Sequence, residues 1–135
     1  MRMTRRLQPE FKIHTAVCEH LRLRAKPDVL WVHVPNQRNG DAKTGAMLKR
    51  MGVLAGASDL LLFRPGACPH CGNARLEGFA LELKAPGGRP TEAQLDFLAR
   101  FNEAGGHGAW ADDIDRALAC LDAWGLLRSS RRASR

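Results

Sequence analysis

Three side chains stand out for the company they keep. Asp59 opens the run "SDLLLF", and further along Glu82 and Lys84 are set among apolar residues in "ALELKAP". Charges inside apolar runs cost free energy unless something requires them. In an extended strand the side chains alternate between faces, so Glu82 and Lys84 project from one side while Leu81 and Leu83 project from the other. If the two runs pair as a hairpin, Asp59 lies beside them. Two carboxylates and one ammonium then converge at one end of a sheet. Hard divalent cations such as Mg²⁺ or Mn²⁺ are held by carboxylate, carbonyl and water oxygens, and a nearby lysine can orient water or offset charge on a phosphate. Such a set can hydrolyse phosphodiesters. Taken singly, each residue also fits a plainer role: Asp59 as a turn cap, and Glu82 with Lys84 as the solvated face of an edge strand.

The elements that must position these residues can be read from periodicity. Phe11, Ile13, Ala16, Val17, His20 and Leu21 predict a helix over about residues 8–24, closed by Pro27. "DVLWVHV" is β-branched and aromatic enough for a strand that Pro35 ends. "AKTGAMLKRMG" predicts a short helix with Gly52 as its stop, followed by a strand over 58–63, a loop carrying "CPHCG", and a strand over 78–84. "APGGRP" turns the chain into a helix whose start fits a capping box at Thr91 and Gln94. A short strand, "HGAW", and a helix over 113–124 complete the order. This is an α/β pattern, one mixed sheet with helices on both faces.

The chain of 135 residues suits one domain with one real core. No window approaches the roughly 18 apolar residues of a membrane span. "MRMTRRLQPEF" lacks an apolar segment of the secretory kind, so a cytoplasmic protein of a bacterium or phage-infected cell is expected. The net charge of +7 is not spread evenly. Arg2, Arg5, Arg6, Arg128, Arg131, Arg132 and Arg135 account for it, and the rest of the chain balances. The expected organisation is a basic arm over 1–7, a domain over 8–125 with a cysteine-bearing hairpin loop at 65–77, and an arginine-rich tail over 126–135. Basic arms suit a polyanion such as nucleic acid through counterion release, and equally suit a solubilising tail.

Further candidates surround the acidic pair. His33 and Asn36, in "HVPN", leave a strand end toward the same sheet edge, where they would touch DNA or merely shape a turn. Arg38, Lys43, Lys49 and Arg50 are placed to contact phosphates or to form a charged helix face. Cys68 and Cys71, in "CPHCG", form the tight Pro/Gly knuckle by which zinc ribbons supply half of a tetrahedral site. The other half is missing from the sequence. Two copies of the knuckle, one from each subunit of a homodimer, could share one Zn²⁺; a bare hairpin tip is the other reading. Cys18 and Cys120 lie on helices as buried apolar residues.

The motifs "HVPN", "LKRMGVLAGASDLLLF" and "ALELKAPGGRPTEAQLDFL" together resemble the virus-type replication-repair nuclease (VRR-NUC) branch of the PD-(D/E)xK nucleases, from about Glu10 to Leu121. The resemblance implies a restriction-endonuclease-like α-β-β-β-α-β core and Mg²⁺- or Mn²⁺-dependent cleavage of DNA. It implies metal ligation by Asp59, Glu82, the backbone carbonyl of Leu83 and an acid of the first helix, Glu10 in preference to Glu19. Lys84 would be the catalytic lysine, and Gln94 would hold water or a phosphate. Ser58 stands where the family usually has proline before the aspartate. Small stand-alone members include phage proteins resembling Holliday-junction resolvases, so a dimeric endonuclease of branched DNA, four-way junction or flap, is the specific expectation. A non-catalytic DNA-binding module, or a zinc-knuckle interaction protein on the same fold, are the alternatives.

Overall fold

The computed structural model describes residues 7–35 and 42–129. Helix α1 (Leu7–Arg24) is followed by β1 (Leu30–His33), α2 (Ala42–Arg50), β2 (Leu60–Ala67), β3 (Ala74–Leu83), α3 (Glu92–Glu103), β4 (His107–Ala111) and α4 (Ile114–Ala123). The strands form one sheet in the order β1-β2-β3-β4, with two antiparallel pairings and then a parallel β3–β4 pair. A parallel pair requires a crossover, and α3 supplies it. This is the expected α-β-β-β-α-β order around a mixed sheet.

The register fixes the two faces. Leu60 lies opposite Leu81 and Leu62 opposite Phe79, and all four are buried. Against this face pack Ile13, Val17 and Leu21 of α1, spaced four residues apart, with Ala117 and Leu121 of α4. Each such leucine or phenylalanine stabilises the fold by about 1.5–3 kcal/mol relative to exposure, so this layer is the main source of stability. Phe11, expected in the same stripe, is 64% exposed. It precedes Ile13 by two residues, which places it about 200° around the helix. The opposite face carries Gly78, Ala80 and Glu82. A Cβ on Gly78 would sit 3.4 Å from the Phe101 ring, so α3 covers this side.

Two boundaries differ from the expectation. The segment over 65–77 is not a long loop: pairing continues through Pro65↔Leu76, Gly66↔Arg75 and Ala67↔Ala74, so β2 and β3 reach almost to the knuckle. Pro65 is tolerated because β1 pairs no further than Phe63, leaving that side of β2 without a neighbour. The tail does not begin at 126 either. Leu126 and Leu127 are core residues, and Ala25 and Leu127 form an isolated bridge. Arg128 donates its N–H to Arg24 O at 2.7 Å and a guanidinium N–H to Leu23 O, so it clasps the end of α1 rather than joining a charged arm. Among the described residues no helix is long and apolar enough to cross a membrane.

Candidate active site

Asp59 immediately precedes β2 and is held at its backbone and its side chain. Its carbonyl accepts from Val34 N–H at 2.8 Å and lies 3.0 Å from His33 Nδ1, so the end of β1 fixes its position. Its Oδ2 accepts from the Leu83 N–H at 2.7 Å. One step beyond the Leu60↔Leu81 pair, the register sets Asp59 opposite Glu82. The N–H and C=O of a strand residue face the same neighbour, so the Leu83 carbonyl also faces the Asp59 side. The loop before Asp59 is pressed onto the first turn of α3 at Gly56. There φ is +88°, and a Cβ would lie 2.4 Å from the Ala93 carbonyl oxygen, so glycine alone fits. Ser58 is fully buried, and its hydroxyl has no hydrogen-bond partner.

Glu82 is 2% exposed on a strand paired on both sides, and Lys84 is 6% exposed. A solvated edge face is therefore ruled out for this pair. Lys84 Nζ stands 3.7 Å from Glu82 Oε2, while Glu82 Oε1 is buried and, among the described residues, meets no donor. Burial, then the neighbouring charge of Asp59, pushes the Glu82 carboxyl up to about 8 against the opposing pull of Lys84, and Glu10 adds a smaller push. A desolvated carboxylate pair with one orphaned oxygen and a single ammonium lacks positive charge, and a divalent cation fits that need. Among the described residues no three His, Cys, Asp or Glu side chains gather as a complete metal cage. An ion here would draw on Asp59, Glu82, the Leu83 carbonyl and water.

Helix α1 brings two further groups. Glu10, half-buried in its first turn, is within electrostatic reach of Glu82, whereas Glu19 is exposed farther along. His14 follows Glu10 by one helical turn on the same side. Its ring meets that of His33 edge-on at 4.2 Å between centroids, and it feels the charge of Asp59. Burial, with His33 adding, holds His14 below the usual histidine range. Sequence reasoning missed His14; the spacing of four in "EFKIH" is the signal that could have found it. Gln94 is buried near the loop of Gly56, but its Oε1 accepts from Thr91 N–H at 2.8 Å while its own N–H donates to Thr91 Oγ1 at 3.2 Å. The capping box thus occupies the oxygen and leaves the amide NH₂ to serve elsewhere.

The remaining candidates do not gather here. Lys49 and Arg50 are exposed in the last turn of α2. Asn36 and Arg38 lie outside the described residues, as does the side chain of Lys43. Cys68 and Cys71 are at the far end of the β2–β3 hairpin, roughly 25 Å along the strands. Cys18 is buried, and burial pushes the Cys120 thiol up to about 11.

No family model matches the chain, and no curated protein matches it. A solved structure does: a "VRR_NUC domain protein" superposes with a TM-score of 0.61, covering 92% of this chain and 90% of its own, at 22% identity. The two share a fold. In that fold the start of β2 lies beside the end of β3, which is where Asp59, Glu82 and Lys84 meet. Architecture alone does not carry chemistry, which is argued from Asp59, Glu82 and Lys84 themselves.

Proposed function

We propose that the chain is a divalent-metal-dependent DNA endonuclease that hydrolyses phosphodiester bonds. The observation that carries this reading is Glu82: a buried carboxylate on a central strand, one oxygen without a partner, facing Asp59 and 3.7 Å from the Lys84 ammonium. The VRR_NUC title of the structural neighbour supports the same class. Asp59, Glu82 and the Leu83 carbonyl would hold Mg²⁺ or Mn²⁺, with Glu10 adding negative charge from α1. When bound, the ion would supply positive charge against the phosphate oxygens and lower the pKa of water.

The chain's own residues do the rest. Leu83 N–H pins one oxygen of Asp59, which fixes the direction of the other. Lys84, just past the end of β3 with its backbone N–H bonded to Ala111 O at 2.9 Å, presents an ammonium that can donate to the attacking water or offset the charge developing on phosphorus oxygens. The α3 layer covers Glu82 and lowers the local dielectric, which strengthens each of these interactions. His33 at the β1 end, with Lys49 and Arg50 on α2, would contact the DNA backbone, joined by Asn36, Arg38 and Lys43 and by the terminal arginines other than Arg128. The preferred substrate is branched DNA, and a dimer would place two centres for symmetric cleavage of a four-way junction.

Wild type and Lys84→Ala incubated with end-labelled junction, flap and plain duplex in Mg²⁺, Mn²⁺ or EDTA provide the test. Symmetric junction cuts that need metal and vanish in the variant are expected. Metal-dependent cutting of flap or duplex alone would discard junction resolution and keep the nuclease. Binding without cleavage of any substrate would replace the nuclease by a DNA-binding module.

A further inference from the structure

The nuclease reading leaves the tip of the β2–β3 hairpin unused. Ala67↔Ala74 is the last pair of the ladder, and the six residues between them form a closed turn. Cys68 N–H donates to Asn73 O at 2.8 Å, and Gly72 N–H donates to Cys68 O at 2.8 Å. Gly72 sits at φ +75°, the left-handed conformation that brings the chain back on itself. The turn thus carries two free cysteines, Cys68 and Cys71, with only two residues between them, the arrangement by which a knuckle presents two thiolates to one metal ion.

The turn supplies only two sulfur ligands. Among the described residues no third His, Cys, Asp or Glu joins them. Cys18 is buried, and Cys120 lies part-buried on α4, on the helical side of the sheet. We propose that Cys68 and Cys71 bind half of a Zn²⁺ site that a second copy of this chain completes, giving one zinc held by four thiolates across a two-fold axis.

The flank of the same hairpin argues for a second copy as the partner. Beyond Phe63, β2 has no strand on its outer side among the described residues, and a shallow cleft of about 430 Å³ lies there, lined by Asp28, Leu30, Phe63, Pro65, Arg75 and Leu76. Leu30 is 68% and Leu76 71% exposed, an apolar pair that water does not favour. The patch also carries one acid and one base. A two-fold contact is self-complementary, so Asp28 of each copy can face Arg75 of the other. On zinc binding four S–H bonds break, four Zn–S bonds form and four protons pass to solvent, which leaves the centre with two net negative charges.

The test uses the full chain purified without chelator under reducing conditions, then loaded with Zn²⁺ or Co²⁺ alone. One zinc per two chains, a dimer by light scattering, and the thiolate charge-transfer band of tetrahedral Co²⁺ are expected. Stripping the metal with a chelator should return the monomer. Cys68→Ser with Cys71→Ser should lose both metal and dimer while keeping the far-ultraviolet circular dichroism of the wild type, since the tip is exposed. Cys18→Ser with Cys120→Ser should keep the metal. No zinc uptake, zinc bound one per monomer, or zinc retained by the Cys68/Cys71 variant would each overturn the proposal. None of these readouts depends on nuclease activity.

Discussion

The β2–β3 hairpin carries two polar clusters that are opposite in kind. In one, Glu77 is fully engaged: Oε1 accepts from Arg64 Nε at 2.9 Å, and Oε2 meets His107 Nε2 at 3.1 Å. Arg64 also donates to Gly125 O at 3.2 Å, tying the hairpin to the end of α4. Its hydrogen bond to Arg64 holds the Glu77 carboxyl below its usual range. In the other, Glu82 is buried, half-unpartnered and pushed up to about 8. Five positions separate a carboxylate whose partners tie the fold together from one with an oxygen that meets no donor among the described residues. Satisfied groups stabilise, and an unsatisfied one in a native core marks a place where stability has been given up for function.

The sharpest break of this contrast is catalytic. Glu82→Gln and Lys84→Ala should each lower metal-dependent cleavage by at least about 100-fold, because the first removes a carboxylate that would hold the ion and the second the ammonium that offsets charge on the phosphate. Single-turnover assays at saturating enzyme separate that loss from weaker binding. The same Glu82→Gln should stabilise the metal-free protein. A carboxyl whose folded pKa is raised loses stability as pH climbs from its unfolded value of about 4.3 toward the folded value of about 8. At pH 8 the gain should be on the order of 2–4 kcal/mol, seen as a higher Tm in chelator and shrinking toward zero by pH 4. A wild-type Tm that does not fall between pH 5 and pH 8 would count against a strained Glu82.

Gly56→Ala tests how the loop and α3 hold Asp59. The added Cβ meets the Ala93 backbone, and the left-handed conformation disfavours it, at a cost of about 1–3 kcal/mol. Cleavage should fall further than stability alone explains, because Asp59 is three residues away. Glu77→Gln should cost about 1 kcal/mol at neutral pH. Its pH signature is the reverse of Glu82: a depressed carboxyl stabilises above its unfolded value and loses that contribution as pH falls through the folded one, so wild type and variant should converge in acid. The smallest effect is expected of Lys49→Ala and Arg50→Ala. Each should weaken DNA binding uniformly across substrates and reduce the salt slope by about one, without touching the rate of the chemical step.

Much of this arrangement was legible because it rests on local rules. Period-two alternation placed Glu82 and Lys84 on one face, the Thr91/Gln94 capping box started α3, and Gly52 stopped α2, where its N–H and that of Val53 close back on Lys49 and Leu48. What escaped depends on partners that no local pattern names. Pro65, Gly66, Cys68 and Gly72 read as a loop, yet the facing strand carries pairing through Gly66 and Ala67. Phe11 fits a helical rhythm and faces solvent, because the position of α1 on the sheet, and not the rhythm, chooses the buried stripe. His14 carries no motif, and its place follows only from α1 crossing the end of β1. That Glu82 is buried rather than solvated required knowing that β3 lies inside the sheet.

The clasp between Arg128 and the end of α1 bears on how the chain is made. Leu126, Leu127 and Arg128 leave a ribosome more than a hundred positions after Leu23 and Arg24. Contacts of such sequence separation are slow to form and cannot form before both ends have emerged. Helix α1, which brings Glu10 and His14 to the sheet, therefore lacks its last fastening while synthesis proceeds. That fastening can be made only when translation has passed Arg128.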